Sequence, residues 1–155
     1  MTPPSTSPLR CIACRQPAPP GTLPGARCPA DEGLFVDALD AEQRPDDPWL
    51  GQTVGGKYAL FGIIGVGGFG AVYRAVQAPV GRTVAVKVIR PQLNPDSQSM
   101  LRARFFREAK VVARLADPAI VTLYDYGEDP DGRLYMVFEY IDGTPLSSVL
   151  RAGPL

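Results

Sequence analysis

The chain has 155 residues, 45% of them hydrophobic, and its 16 Lys and Arg balance 16 Asp and Glu. That is room for one medium domain and a small appendage but not two full-sized domains, with no net field to recruit nucleic acid or an anionic membrane. No apolar run approaches the roughly 20 residues that span a bilayer, and the Pro/Ser/Thr-rich start "MTPPSTSPLR" lacks the apolar heart of an export signal. The expected address is therefore cytoplasmic, with no membrane span.

The first feature in chain order is a cysteine group: Cys11, Cys14 and Cys28. An odd number without an export signal suits metal ligation or free thiols better than a disulfide framework. Cys11 and Cys14 form C-x-x-C, a spacing that lets two thiolates of one turn reach one tetrahedral zinc. Cys28 opens "CPAD", and Asp31 stands where a fourth cysteine would complete the set. Carboxylate oxygen also ligates zinc, so Cys11, Cys14, Cys28 and Asp31 are the candidate zinc ligands, with unligated thiols as the alternative. A redox dithiol is disfavoured because no βαβ pattern follows. Ten of the 17 prolines precede Lys57, where hydrophobic periodicity is weak. Residues 1–35 thus read as a small, mostly irregular cysteine module and 36–56 as a Pro/Asp-rich linker around "AEQRPDDPWLGQ". The compact domain begins at 57 and runs to 155.

Within it, "KYALFGIIG" and "AVYRAVQA" read as strands joined by a glycine bend, and "RTVAVKVIR" as a third strand. Turn residues start, and Asp-Pro stops, the helical stretch "NPDSQSMLRARFFREAKVVARLADP". Two more strands, "AIVTLYDYG" and "RLYMVFEYI", and the start of a helix at "PLSSVLRAG" complete the order. Gly65, Gly67 and Gly70 match G-x-G-x-x-G, which alone is a weak signal. In a dinucleotide fold a helix would follow the third glycine. Here Val72, Tyr73 and Val76 follow, which is strand chemistry. A glycine-rich strand-turn-strand flap still brings bare backbone N–H groups to phosphate oxygens.

Along the third strand Ala85 and Lys87 share one face and Val84, Val86 and Val88 the other. On the helix, Leu101, Phe105, Val112 and Leu115 form a stripe with Glu108 in its middle. A carboxylate facing a core is costly unless paired, and Lys87 is the cation expected to pair with it; the alternative is Glu108 at the helix edge in water.

These residues resemble the N-terminal lobe of a protein kinase, most closely the bacterial serine/threonine kinases of eukaryotic type. "GVGGFGAV" fits G-x-G-x-x-G-x-V, "VAVK" fits V-A-I-K, and Glu108 lies where the αC glutamate should be. The resemblance implies an α+β lobe with a five-stranded antiparallel sheet and one αC-type helix. It implies ATP as ligand, held by the loop Gly65, Val66, Gly67, Gly68, Phe69 and Gly70, by Val72 and Ala85 on the adenine face, and by Lys87 on the phosphates. "LYMVFEYIDGTPL" resembles the fifth strand and hinge, making Phe138 the gatekeeper. The C=O of Glu139 and the N–H of Ile141 would then meet adenine, and Asp142 would lie near ribose. Lys87 and Glu108 are the implied catalytic pair. A short cysteine module ahead of the lobe also resembles some bacterial kinases. Two departures stand out. Asp117 replaces a usual histidine in a chain that has none, and H-R-D and D-F-G motifs do not occur before Leu155. The chain is thus expected to be half of an ATP site, inactive alone, needing the second lobe for magnesium and for a protein substrate. A non-catalytic regulatory or docking module is the alternative.

Overall fold

The structure, a computed structural model, describes residues 7–153, so the first six residues of the Pro/Ser/Thr-rich start and the last two lie outside it. Strands β1 (Leu9–Cys11) and β2 (Phe35–Asp37) pair antiparallel as a small sheet. Helix α1 (Ala38–Gln43) follows directly, its N-cap Asp37 accepting from the Asp40 N–H at 3.0 Å. Then come β3 (Thr53–Val54), β4 (Tyr58–Gly67), β5 (Gly70–Gln77), β6 (Arg82–Ile89), α2 (Pro95–Val112), β7 (Leu123–Glu128), β8 (Leu134–Glu139) and α3 (Leu146–Ala152). Strands β3 to β8 form one antiparallel sheet in the order β3-β4-β5-β6-β8-β7.

The five expected strands are all present, and the two-residue β3 adds a sixth at the edge. The stretch "AIVTLYDYG" enters the sheet only at Leu123. Period-two alternation divides the faces. Ala71, Tyr73 and Ala75 of β5, Val84, Val86 and Val88 of β6, and Val137 of β8 are buried on one side. That side is packed not only by Tyr58 and Leu60 but by Val36, Ala41, Leu50 and Val54. Residues 36–56, read from sequence as a linker, therefore carry α1 and β3 and share the core of the main sheet. A six-residue helix and a two-residue strand are too short to show periodicity, so the stretch carries no clear pattern.

Helix α2 starts as the sequence suggests: the Asn94 side chain accepts from Asp96 and Ser97 N–H, and Pro95 opens the first turn. It lies mainly against β7 and β8, burying Phe105 and Ala109. Phe105 meets Phe106 edge-on, and Phe106 tilts against Tyr126 of β7. Arg102 pairs with Glu128 of β7. No helix among the described residues is long and apolar enough to cross a membrane.

Candidate functional site

The glycine bend is the tip of a hairpin. Gly67 pairs with Gly70, and Gly68 and Phe69 make the turn, with the Phe69 side chain 85% exposed. The Phe69 carbonyl accepts from Arg90 N–H at 2.8 Å, tying the tip to the end of β6. Gly70 has φ +151°, and a Cβ there would lie 2.0 Å from the Val88 carbonyl oxygen. A Cβ at Gly65, Gly67 or Gly68 would meet nothing. Val66, also exposed, points over Ala71 on the core side of the sheet.

Below the hairpin the register aligns the expected residues. Val72 pairs with Lys87, which pairs with Met136; Ala85 pairs with Phe138. Directly paired residues point the same way, so Val72, Ala85, Lys87 and Phe138 share one face, opposite the buried one. Lys87 is exposed; Val72, Ala85 and Phe138 are half-buried. Glu139 ends β8 with its side chain accepting from Thr122 N–H at 2.9 Å and its own N–H donating to the Thr122 carbonyl at 2.9 Å. Ile141 and Asp142 follow, exposed.

Glu108 departs from its expected position. Its carboxylate accepts from Arg104 at 2.7 Å across one helical turn, and its side chain is 54% exposed. No ion pair among the described residues joins it to Lys87. The physical reason is helical phase: packing through Phe105 and Ala109 turns the intervening Glu108 outward. Of the predicted stripe, Leu101 and Val112 are half-buried and Leu115, past the helix end, is exposed. The Arg104 guanidinium, by hydrogen bond and charge, holds the Glu108 carboxyl below its usual range.

The cysteine module is built of two turns of one shape, 17 residues apart. In the first, Cys11 N–H donates to the Gln16 carbonyl at 2.9 Å, Arg15 N–H donates to the Cys11 carbonyl at 3.0 Å, and Arg15 has φ 63°. In the second, Cys28 N–H donates to the Gly33 carbonyl at 2.7 Å, Glu32 N–H donates to the Cys28 carbonyl at 2.8 Å, and Glu32 has φ 62°. Cys14 in one turn therefore corresponds to Asp31 in the other. Ligand atoms of Cys11, Cys14, Cys28 and Asp31 lie within 4.8 Å of one another. Cys14 and Cys28 sulfurs are 3.8 Å apart, and Cys11 sulfur lies 3.2 and 3.6 Å from the two Asp31 oxygens. Zinc–sulfur bonds of about 2.3 Å give a tetrahedral sulfur–sulfur edge of roughly 3.8 Å, so the donor set fits that metal. Gly33 N–H fixes the Asp31 carboxylate at 2.9 Å, and that bond, with the Cys11 thiol, keeps its pKa low. A backbone hydrogen bond at Gln16 favours the Cys14 thiolate, but burial and the neighbouring Cys11, Asp31 and Cys28 outweigh it and push the thiol up to about 11.

Sequence reasoning missed Asp37, Asp40, Asp47 and Arg74. Alternation along β5 places Arg74 on the Val72 face, a signal that was available. Its partners sit in the stretch that looked like a linker, so nothing in the sequence joined them.

A family model described as protein kinase domain matches residues 58–154. Serine/threonine-protein kinase pkn3 of Myxococcus xanthus is 40% identical over 113 residues, covering 72% of this chain and 20% of that protein. Serine/threonine-protein kinase PknA of Mycobacterium tuberculosis is 41% identical over 108 residues, covering 67% and 25%. The chain thus spans a fifth to a quarter of the length of these relatives. The crystal structure of the M. tuberculosis PknI kinase domain is similar with a TM-score of 0.52 at 31% identity, over 62% of this chain and 37% of that one. A sheet that presents Val72, Ala85 and Lys87 beneath a glycine hairpin, a helix packed beyond it, and a family match over more than half of the sequence have one reading in common: the chain belongs to the protein kinase family and carries an N-terminal-lobe-like part of a bacterial serine/threonine kinase.

Proposed function

We propose that residues 57–155 are the ATP-binding half of a serine/threonine kinase. The observation that carries this is the hairpin: Gly65, Gly67 and Gly68 are needed neither by positive φ nor by a close neighbour, and Gly65 is paired with Val72, whose face of the sheet also presents Ala85 and Lys87. Glycines that the fold does not require leave room for a ligand to approach the backbone. Backbone N–H groups from Gly65 to Gly70, Val66 and Phe69 included, meet phosphate oxygens, and Lys87 supplies the charge. Val72 and Ala85 cover adenine, Phe138 closes the back of its pocket, the Glu139 carbonyl and Ile141 N–H pair with its edge, and Asp142 faces ribose. ATP supplies the phosphoryl group. Magnesium and the protein substrate require catalytic-loop and metal-binding motifs that residues 57–155 do not contain. Glu108 joins Lys87 only when α2 turns and gives up its bond to Arg104; that bond is solvent-exposed, and such pairs are weak.

In the second part of this reading the two turns of the cysteine module hold one zinc through Cys11, Cys14, Cys28 and Asp31. With four protein ligands the site is closed, so the metal crosslinks the module rather than activating water. The three thiols are free of disulfides, which suits the reducing cytoplasm.

Equilibrium dialysis of the chain against labelled ATP tests the nucleotide reading. Lys87→Met is expected to abolish most of the binding while leaving circular dichroism unchanged. Undiminished affinity in that variant would remove Lys87 from the phosphate site, and no binding by the wild type would favour the docking-module alternative.

A further inference from the structure

Strand β4 is paired along its length with β5, but β3 covers its outer edge only at Tyr58 and Ala59. Beyond that point the edge is open, and an open edge needs cover. The N-terminal segment provides it. Leu60 N–H donates to the Gln52 carbonyl and Gly51 N–H to the Leu60 carbonyl, both at 2.9 Å. Ile63 N–H donates to Asp40 Oδ2 at 2.8 Å. The last bond falls where β4 is weakest: its register with β5 shifts between Leu60 and Gly62 and again between Ile63 and Gly65.

The return strand of the hairpin is held as well, from both sides. Tyr73 and Arg74 are consecutive and so point to opposite faces of the sheet. On one face Arg74 reaches Asp37 at 3.0 Å and Asp40 at 3.3 Å, with the Asp37 side chain 3% exposed. Gly62 makes this reach feasible, because a Cβ there would lie 2.5 Å from the guanidinium. On the other face the Tyr73 hydroxyl donates to the Asp47 carboxylate, 2.9 and 3.0 Å from its two oxygens. Asp47 is itself fixed by Trp49 and Leu50 N–H at 2.9 and 2.8 Å. Both grips fall within four residues of Gly70.

We propose that the segment Asp37–Leu50 is a clamp that positions the glycine hairpin, with Asp40 as its central positioning residue. Asp40 joins both strands: it accepts from Ile63 on the outgoing strand and receives Arg74 from the returning one. The root of the hairpin is fixed by these contacts and its tip by the Phe69–Arg90 bond, so the entropy of ordering the flap is spent in folding and not in binding. The clamp rests on the geometry alone, and its effect on ATP rests on the nucleotide reading above.

Amide hydrogen exchange on the full chain tests the clamp. Asp40→Ala is expected to speed exchange of amides 63–70 about tenfold, the scale of one lost hydrogen bond, with amides 134–139 of β8 unchanged. Asp40→Asn keeps an acceptor for Ile63 and should retain most of the protection. Tyr73→Phe opens the other grip and should loosen the same residues, which keeps the question decidable if Asp40→Ala does not fold. Unchanged exchange at 63–70 in Asp40→Ala and Tyr73→Phe, or an equal rise throughout β6 and β8, would overturn the clamp. Where the wild type binds ATP, Asp40→Ala should weaken it by a similar factor and Asp40→Asn should restore it; equal affinities would overturn the link to nucleotide. Where the wild type binds none, the nucleotide reading fails and the exchange data judge the clamp by themselves.

Discussion

Four glycines in six residues look alike in the sequence, yet the structure gives them two different tasks. Gly70 is required by the fold, because its φ and the Val88 carbonyl both exclude a side chain. Gly67 is not, since the space around it is open. Gly70→Ala is therefore expected to cost at least about 2 kcal/mol of folding stability, read as a lower urea midpoint. Gly67→Ala should stay within about 0.5 kcal/mol of wild type while weakening ATP binding, because the new methyl faces the ligand's approach. Reversal of the two results would invert the assignment. The pattern G-x-G-x-x-G was legible from sequence as a strand-turn-strand bend, but the division of labour was not: it depends on the backbone of β6, eighteen residues away at Val88. Lys87 was legible in the same sense. Alternation placed it opposite Val84, Val86 and Val88, and the burial of those three fits.

At the scale of elements, the strands of the main sheet and both helices from Pro95 onward were legible because each repeats its pattern over several residues. The phase of α2 was not. Leu101, Phe105 and Val112 of the expected stripe do turn inward, but Ala109 takes the buried place beside them and leaves Glu108 on the flank, a difference of part of a turn set by packing toward β7 and β8. In the cysteine module the spacing was legible, and the repeat of turn geometry was not, since Arg15 and Glu32 carry no sequence signal for the left-handed backbone they share. That repeat makes a sharp prediction. Asp31 occupies the place equivalent to Cys14, so Asp31→Cys is expected to complete a four-thiolate set and hold zinc longer against a chelator, whereas Cys28→Ser should reduce zinc from about one per chain toward none. Metal content by mass spectrometry decides both. Near-zero zinc in the wild type purified without chelator would end the metal reading.

For the molecule as a whole, three buried tyrosines link the fold to alkaline pH. Burial, with the Asp125 hydrogen bond and charge, raises the pKa of Tyr58; burial, with Asp47, raises Tyr73; burial, with the charge of Asp125, raises Tyr135. In the unfolded chain a tyrosine ionises near about 10. The folded state holds its phenolic protons beyond that point, so the stability they contribute is complete below about pH 10 and is lost as pH rises toward the folded values. The urea midpoint is expected to be level between about pH 7 and 9 and to fall above about pH 10, and Tyr58→Phe should flatten the fall. A midpoint that stays level beyond pH 10 would show that the phenols are not held.

The buried side of the sheet runs without a seam from Ala71, Tyr73 and Val84 into Val36, Ala41, Leu50 and Val54. The family match begins only at residue 58. The two stretches therefore pack as one: a change of side-chain volume on the buried face of β5 or β6 is felt within residues 36–54. Moving the N-terminal stretch onto another sheet would carry along Val36, Ala41, Leu50 and Val54, whose side chains pack here against this one. Paired substitutions across residue 58 are what such packing is expected to leave among relatives that share both stretches.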